Sequence, residues 1–320
     1  MSVPIQPISL LQQTATEFGI IMVGTAVVCV GALAYFRRVR MERPAIGTFN
    51  ARDVVILLVF IGVLPFVYGW LPVPLVTCLL ALTFASALYI GYRPLLGPVG
   101  IWLGIGVLFG FNIWSSNHIM GTLPGWQVWF TEQGIMVSLA AIAVCNLYLQ
   151  GGMKLRHVAW LSLGLAGYDV IFAAYYPLTG RLIARYLTHP LTPLLGMRFG
   201  LNDYAVGLGD LFIYALFFVA AYKAYGARAA AIAAGVIAVM GGAATAFIPL
   251  LFSFFNFADA NLDILVPAQS LFGPAAFVTY LWMKRHYGRE RTMAEYLASQ
   301  GDAAAAPQVE QAPAPEPASI

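Results

Sequence analysis

The sequence predicts an all-α, polytopic membrane protein, on three observations. Sixty per cent of its 320 residues are hydrophobic and only 10% are charged. The mean hydropathy is +0.79, well above that of a soluble domain. Apolar runs of about 20 residues, the length a helix needs to cross a bilayer, recur along the chain and are separated by short segments holding most of the Lys and Arg.

Residues 1–17 carry no Lys or Arg, so the first run, Phe18–Phe36, lacks the positive leader of a cleavable signal peptide and reads as a span. Further runs at 53–71, 73–92, 95–115, 129–150, 155–177, 204–222, 229–251 and 264–283 bring the predicted total to nine. The chain then divides into a short outer segment (1–17), a nine-helix membrane domain (18–283) and a last segment (284–320). That last segment opens with Lys284, Arg285, Arg289 and Arg291 and, from Asp302, becomes an Ala/Pro/Gln/Glu tail too poor in large apolar residues to fold. With the N-terminus outside, 14 of the 17 Lys and Arg residues fall inside, leaving Arg181, Arg185 and Arg198 outside. Positive charge favours the inner face, so the expected orientation is N-out, C-in.

Several function classes are excluded. No basic patch interleaved with aromatics points to nucleic acid. Cys29, Cys78 and Cys145 sit in apolar runs and read as small core residues, and His118, His157, His189 and His286 are scattered, so neither a metal site nor a cofactor is expected. Gly100, Gly104, Gly106 and Gly110 form a small-residue stripe expected to pack against another helix, as do Gly241-Gly242. Trp126 and Trp129 read as interfacial anchors, and Asn112 and Asn146 as interhelical hydrogen-bonding groups. Glu132 reads either as an interfacial or paired structural group or as a substrate contact. The loop from Leu178 to Asp203 is the longest of the membrane domain.

Chemistry concentrates in two spans. In Tyr204–Tyr214 the single charge is Asp210, within Gly207-Leu208-Gly209-Asp210; the glycines are expected to leave its flank open to close approach. In Leu165–Phe172 the single charge is Asp169, preceded by Gly167 and Tyr168. A carboxylate at bilayer depth costs about 3 kcal/mol on insertion scales, so each is a functional candidate by default. Both lie eight residues from the outer ends of antiparallel spans, about 12 Å deep at the helical rise, and are expected to stand level. Two such carboxyls share one proton, and the pair can activate a water as base and protonate an oxygen as acid. Tyr168, Tyr214 and Gln269 are candidates for tuning them. Paired intramembrane carboxylates also serve proton- or cation-coupled transporters, which is the alternative reading.

Tyr168-Asp169 in one span and Gly207-Leu208-Gly209-Asp210 at the head of the next resemble the intramembrane aspartyl proteases of the presenilin and signal peptide peptidase family, and the N-out orientation is similar to signal peptide peptidases. That family's third signature is a Pro-Ala-Leu in the last span; Pro267-Ala268-Gln269 resembles it, with Gln269 in place of leucine and Pro274 seven residues on. The resemblance implies Asp169 and Asp210 as catalytic residues, with Tyr168, Gly207, Leu208, Gly209, Pro267, Ala268 and Gln269 shaping the site. It implies transmembrane peptides as substrates, type II spans or signal-peptide remnants, met within the lipid bilayer. The third segment is expected to act through its backbone shape; the alternative is that the Gln269 amide bonds an aspartate or a substrate carbonyl. A catalytically degenerate scaffold on the same fold is the remaining alternative. Fourteen arginines against three lysines, with no retention signal at the end, point to a prokaryotic plasma membrane.

Overall fold

A computed structural model describes residues 10–41, 49–172, 181–182, 185–186, 189–191, 196–197, 206–247 and 268–301. Helices dominate it, as lipid demands, because a backbone polar group there must find its partner within the chain. In chain order they are α1 (Leu10–Arg38), α2 (Ala51–Trp70), α3 (Val73–His118), α4 (Leu123–Gln150), α5 (Leu155–Val170), α6 (Leu208–Tyr225), α7 (Ala227–Val236), α8 (Ala268–Tyr287) and the short α9 (Met293–Ser299). α7 runs on through a π-helical stretch, Ile237–Ala243. Among the described residues the only strand pairing is minimal: β1 (Gly196–Met197) runs antiparallel to β2 (Val206–Gly207). Six of the helices are long and apolar enough to cross a membrane, the architecture of an integral, multi-pass protein.

α3 is two helical arms that meet at a kink, not one straight helix. Its 46 residues would reach about 69 Å, against a hydrocarbon layer of about 30 Å. Gly97, between Pro94 and Pro98, has φ +66°, a left-handed conformation that glycine adopts without penalty. The rings of Tyr89 and Trp102 lie 5.5 Å apart, although a straight helix would separate these residues by about 20 Å. The chain therefore doubles back at Gly97, and Ala85 and Leu88 of one arm share a cluster with Ile101 and Ile105 of the other.

α6 is the buried centre: Leu211, Ile213 to Phe217 and Val219 to Ala221 are all enclosed. α2 is its opposite, with Val54 buried while Val55, Val59, Phe60 and Val63 are exposed, as suits a helix facing lipid. α8 lies along α5 through a stripe of Gln269, Phe272, Gly273, Ala276, Tyr280 and Met283, spaced as one helical face. The approach is closest at Gly273, where a Cβ would stand 2.4 Å from the Ser162 carbonyl oxygen and 2.8 Å from the Ala166 Cβ. At the other end of the bundle, buried Lys223 donates from Nζ to the Leu149 carbonyl at 3.3 Å and to the Met153 carbonyl. Arg291 donates to the Ala224 and Tyr222 carbonyls at 3.1 and 3.2 Å, closing the C-terminus of α6. α9 docks there, with Tyr296 against Phe36 at 5.1 Å. The Thr292 backbone N–H, with Arg289, holds the Glu295 carboxyl below its usual range.

Several expectations change. The Gly104, Gly106 and Gly110 stripe packs on nothing: a Cβ on any of them meets open space. Trp129 is a core residue, 1% exposed, beside Met120 and Phe130 rather than at the interface. Cys29 and Cys145 are buried, but Cys78 is exposed on the apolar surface of α3. Asn146 does join helices, donating to the Ala32 carbonyl at 3.2 Å, and a Cβ on Gly241 would meet the Tyr214 ring at 2.7 Å. The tail from Asp302, Pro267, and residues 173–177, 248–251 and 264–266 of the expected spans lie outside the described residues.

Gly273→Ala is expected to destabilise the protein by about 1–3 kcal/mol through overpacking against backbone, whereas Gly104→Ala leaves stability unchanged. Thermal unfolding of the two variants in one detergent checks this, and equal midpoints would contradict the α5–α8 contact.

Candidate active site

α6 does not begin where hydropathy places the seventh span. Val206 and Gly207 are extended and paired with β1, and the helix starts at Leu208. Asp210 is therefore in the first turn rather than two turns inside, which corrects the count of eight helical residues above it. Gly207 is the N-cap and Asp210 the third residue of the helix. The Asp210 carboxyl turns back to accept the Gly207 backbone hydrogen bond. A Cβ on Gly207 would stand 3.1 Å from Asp210 Oδ2, so the flank opened by this glycine is filled by the aspartate itself. Gly209 is exposed, with open space where its side chain would be. Leu208 is half-buried and packs on the main core.

Asp169 is the penultimate residue of α5, and a π-helical turn follows at 171–172. Tyr168 beside it packs against Phe172, with the rings tilted and their centres 4.4 Å apart. The two carboxyls are near enough to act on each other electrostatically, and both act on the fully buried Tyr214, one helical turn below Asp210. The Tyr214 hydroxyl itself donates to the Gly241 carbonyl at 3.3 Å in the π-helical stretch.

Gln269 joins the two aspartates. It is the second residue of α8, follows half-buried Ala268 and is 3% exposed. Its Nε2 donates to Asp210 Oδ1 at 2.8 Å, and its backbone gives a hydrogen bond to the Asp169 carboxyl. The expectation that this segment works through backbone shape is thus half of what is found: the amide is engaged as well. With Nε2 committed to Asp210, the remaining amide atom is Oε1, buried and without a partner among the described residues. It can accept a hydrogen bond but cannot serve a carbonyl.

The first N–H groups of a helix have no partner within it and carry the positive end of its dipole. One such end, that of α6, lies at Asp210, and the Gln269 backbone N–H of α8 reaches the Asp169 carboxyl. Sequence reasoning did not foresee this. The available signal was Gly207 three residues before Asp210, the spacing of an N-cap and an acidic third position. Outside this pair, Asn112 Nδ2 donates to Glu132 Oε2, which makes Glu132 a paired group.

A double-mutant cycle of Gln269→Leu with Asp210→Ala, read by unfolding, is expected to give a coupling energy of about 1–3 kcal/mol; a value near zero would mean that the amide does not support the aspartate. In comparisons with known proteins, no family model matches the chain, and neither does any curated protein or solved structure.

Proposed function

We propose that this protein is an intramembrane aspartyl protease, with Asp169 and Asp210 as its catalytic pair. One observation carries the reading: two lone carboxyls, on separate apolar helices, come close enough to act on each other and are joined by Gln269. The pair holds one proton. The ionised member takes a proton from a water, whose oxygen attacks the carbonyl carbon of the substrate, while the protonated member donates to the carbonyl oxygen. Collapse of the tetrahedral intermediate breaks the C–N bond, the amine leaving with a proton returned by the pair. Open space at Gly209 gives an extended backbone room beside Asp210. Gln269 Oε1 is the acceptor left for one of its N–H groups. A substrate helix must unwind to be cut, which frees such N–H groups.

The topology that goes with this reading has nine crossings: α1, α2, the two arms of α3, α4, α5, α6, α7 with its π-helical extension, and α8. The distribution of Lys and Arg supports N-out, C-in, and so substrates that enter as type II spans, at a prokaryotic plasma membrane.

Asp169→Ala and Asp210→Ala are each expected to abolish cleavage of a transmembrane peptide, with the double variant no worse than either, because the pair acts as a unit. Mass spectrometry of peptides incubated with the purified protein reads this out; wild-type cleavage by either single variant would remove the assignment. For the orientation, Gln12→Cys in a cysteine-free background should react with an impermeant thiol reagent on intact cells while Gln300→Cys should not. The opposite pattern would invert the topology.

A further inference from the structure

Forty residues separate Asp169 from Asp210, and wherever this linker is described it is tied to the helices around it. Arg185 donates to the carbonyls of Gly69 and Leu71, the latter at 2.6 Å, and the hydroxyl of buried Tyr186 donates to the Tyr68 carbonyl at 2.6 Å. These bonds close the C-terminus of α2, whose last carbonyls lack helical partners. Farther on, the Leu191 backbone N–H donates to Asn112 Oδ1 at 2.9 Å, between α3 and α4. β1 then packs on α4 and pairs Gly196 with Gly207 and Met197 with Val206. Gly207 in turn bonds the Asp210 carboxyl.

Leu191 is the unusual link. It is 2% exposed and has φ +50°, the one described non-glycine residue in the left-handed region. Such a conformation persists only where neighbours over-determine it. Its backbone N–H depends on which way the Asn112 amide faces. Glu132 decides that: an acceptor at Oε2 takes Asn112 Nδ2 and so turns Oδ1 toward Leu191. The other Glu132 oxygen, Oε1, is buried and has no partner among the described residues. A buried carboxyl satisfied on one side is no source of stability in itself, so its contribution has to be sought in what it orients.

We propose that Asn112, oriented by Glu132, is a positioning residue for Asp210: it latches the linker at Leu191 and thereby holds the β1–β2 pair from which the aspartate's helix starts. The role of Asp210 rests on the protease reading; the latch does not. Releasing Leu191 loosens the β1–β2 pair and with it the fixed start of α6.

Hydrogen–deuterium exchange of the full-length protein in nanodiscs tests the latch without reference to activity. In Asn112→Leu and in Glu132→Leu, exchange over 189–197 and 206–210 should rise about tenfold or more, equivalent to about 1.4 kcal/mol of lost protection. Glu132→Gln, which keeps an acceptor for Asn112, should stay nearer to wild type than either. Asn146→Leu, which breaks an asparagine bond to α1, should leave both stretches unchanged. Because two variants on different helices report on one latch, misfolding of either leaves the other to decide. Wild-type exchange at 189–210 in the folded variants, or an equal rise in Asn146→Leu, would overturn the proposal. Against a quenched transmembrane peptide, the two leucine variants should lose about tenfold in kcat at unchanged KM, since catalytic geometry and not substrate binding is disturbed; a rise in KM at constant kcat would also overturn it. If the wild type cleaves no peptide, it is the protease reading that fails, while the exchange data still judge the latch.

Discussion

A carboxylate in an apolar bundle is tolerable only where protein donors replace the water it has given up, and the site between α5, α6 and α8 is arranged to meet that demand twice. α6 begins there, bringing N–H groups that its own carbonyls cannot use. Gly207 serves Asp210 from the N-cap of α6, and the Gln269 backbone N–H serves Asp169. The Gln269 side chain crosses to Asp210. If the seventh hydropathic run were helical from end to end, no helix start would lie at this depth, and Asp210 would be flanked by N–H groups already spent.

The rest of the bundle holds these donors in place by different means at its two ends. At one end, Lys223 and Arg291 add side-chain donors to carbonyls at the C-termini of α4 and α6. Along the middle, α8 is pressed onto α5 at Gly273, and Tyr214 fits over Gly241. Near the aspartates the control is looser, exerted through the linker by single bonds from Arg185, Tyr186 and Leu191. Rigid helix packing thus sets the distance between α5 and α8, while the linker sets where α6 begins.

Burial is distributed unequally. α6 is enclosed along most of its length, whereas α2 touches the bundle chiefly through Leu58 on Gly164 and Phe66 on Phe172. The glycines at 104, 106 and 110 lie on such an outward surface. Small residues allow close helix approach only where another helix is present, and none of the described helices covers them.

What the sequence determined by itself was set by composition and by local cost. Runs of about 20 apolar residues can hardly be anything but membrane helices, and Asp169 and Asp210 stand out because nothing near them in sequence relieves their charge. Asn146 and the Gly241 contact were legible for the same reason, being polar or small groups in apolar surroundings. The tertiary structure decided what depends on neighbours distant in sequence. It doubled α3 back at Gly97, moved the start of α6 to Leu208 by pairing Val206 and Gly207 with β1, and buried Trp129. It also gave Gln269 two aspartates to bond, where the local pattern offered only a substituted leucine. Hydrophobicity is a property each residue carries with it, so it can be read along the chain. A hydrogen bond across 59 residues, such as that from Gln269 to Asp210, exists only once the helices have packed.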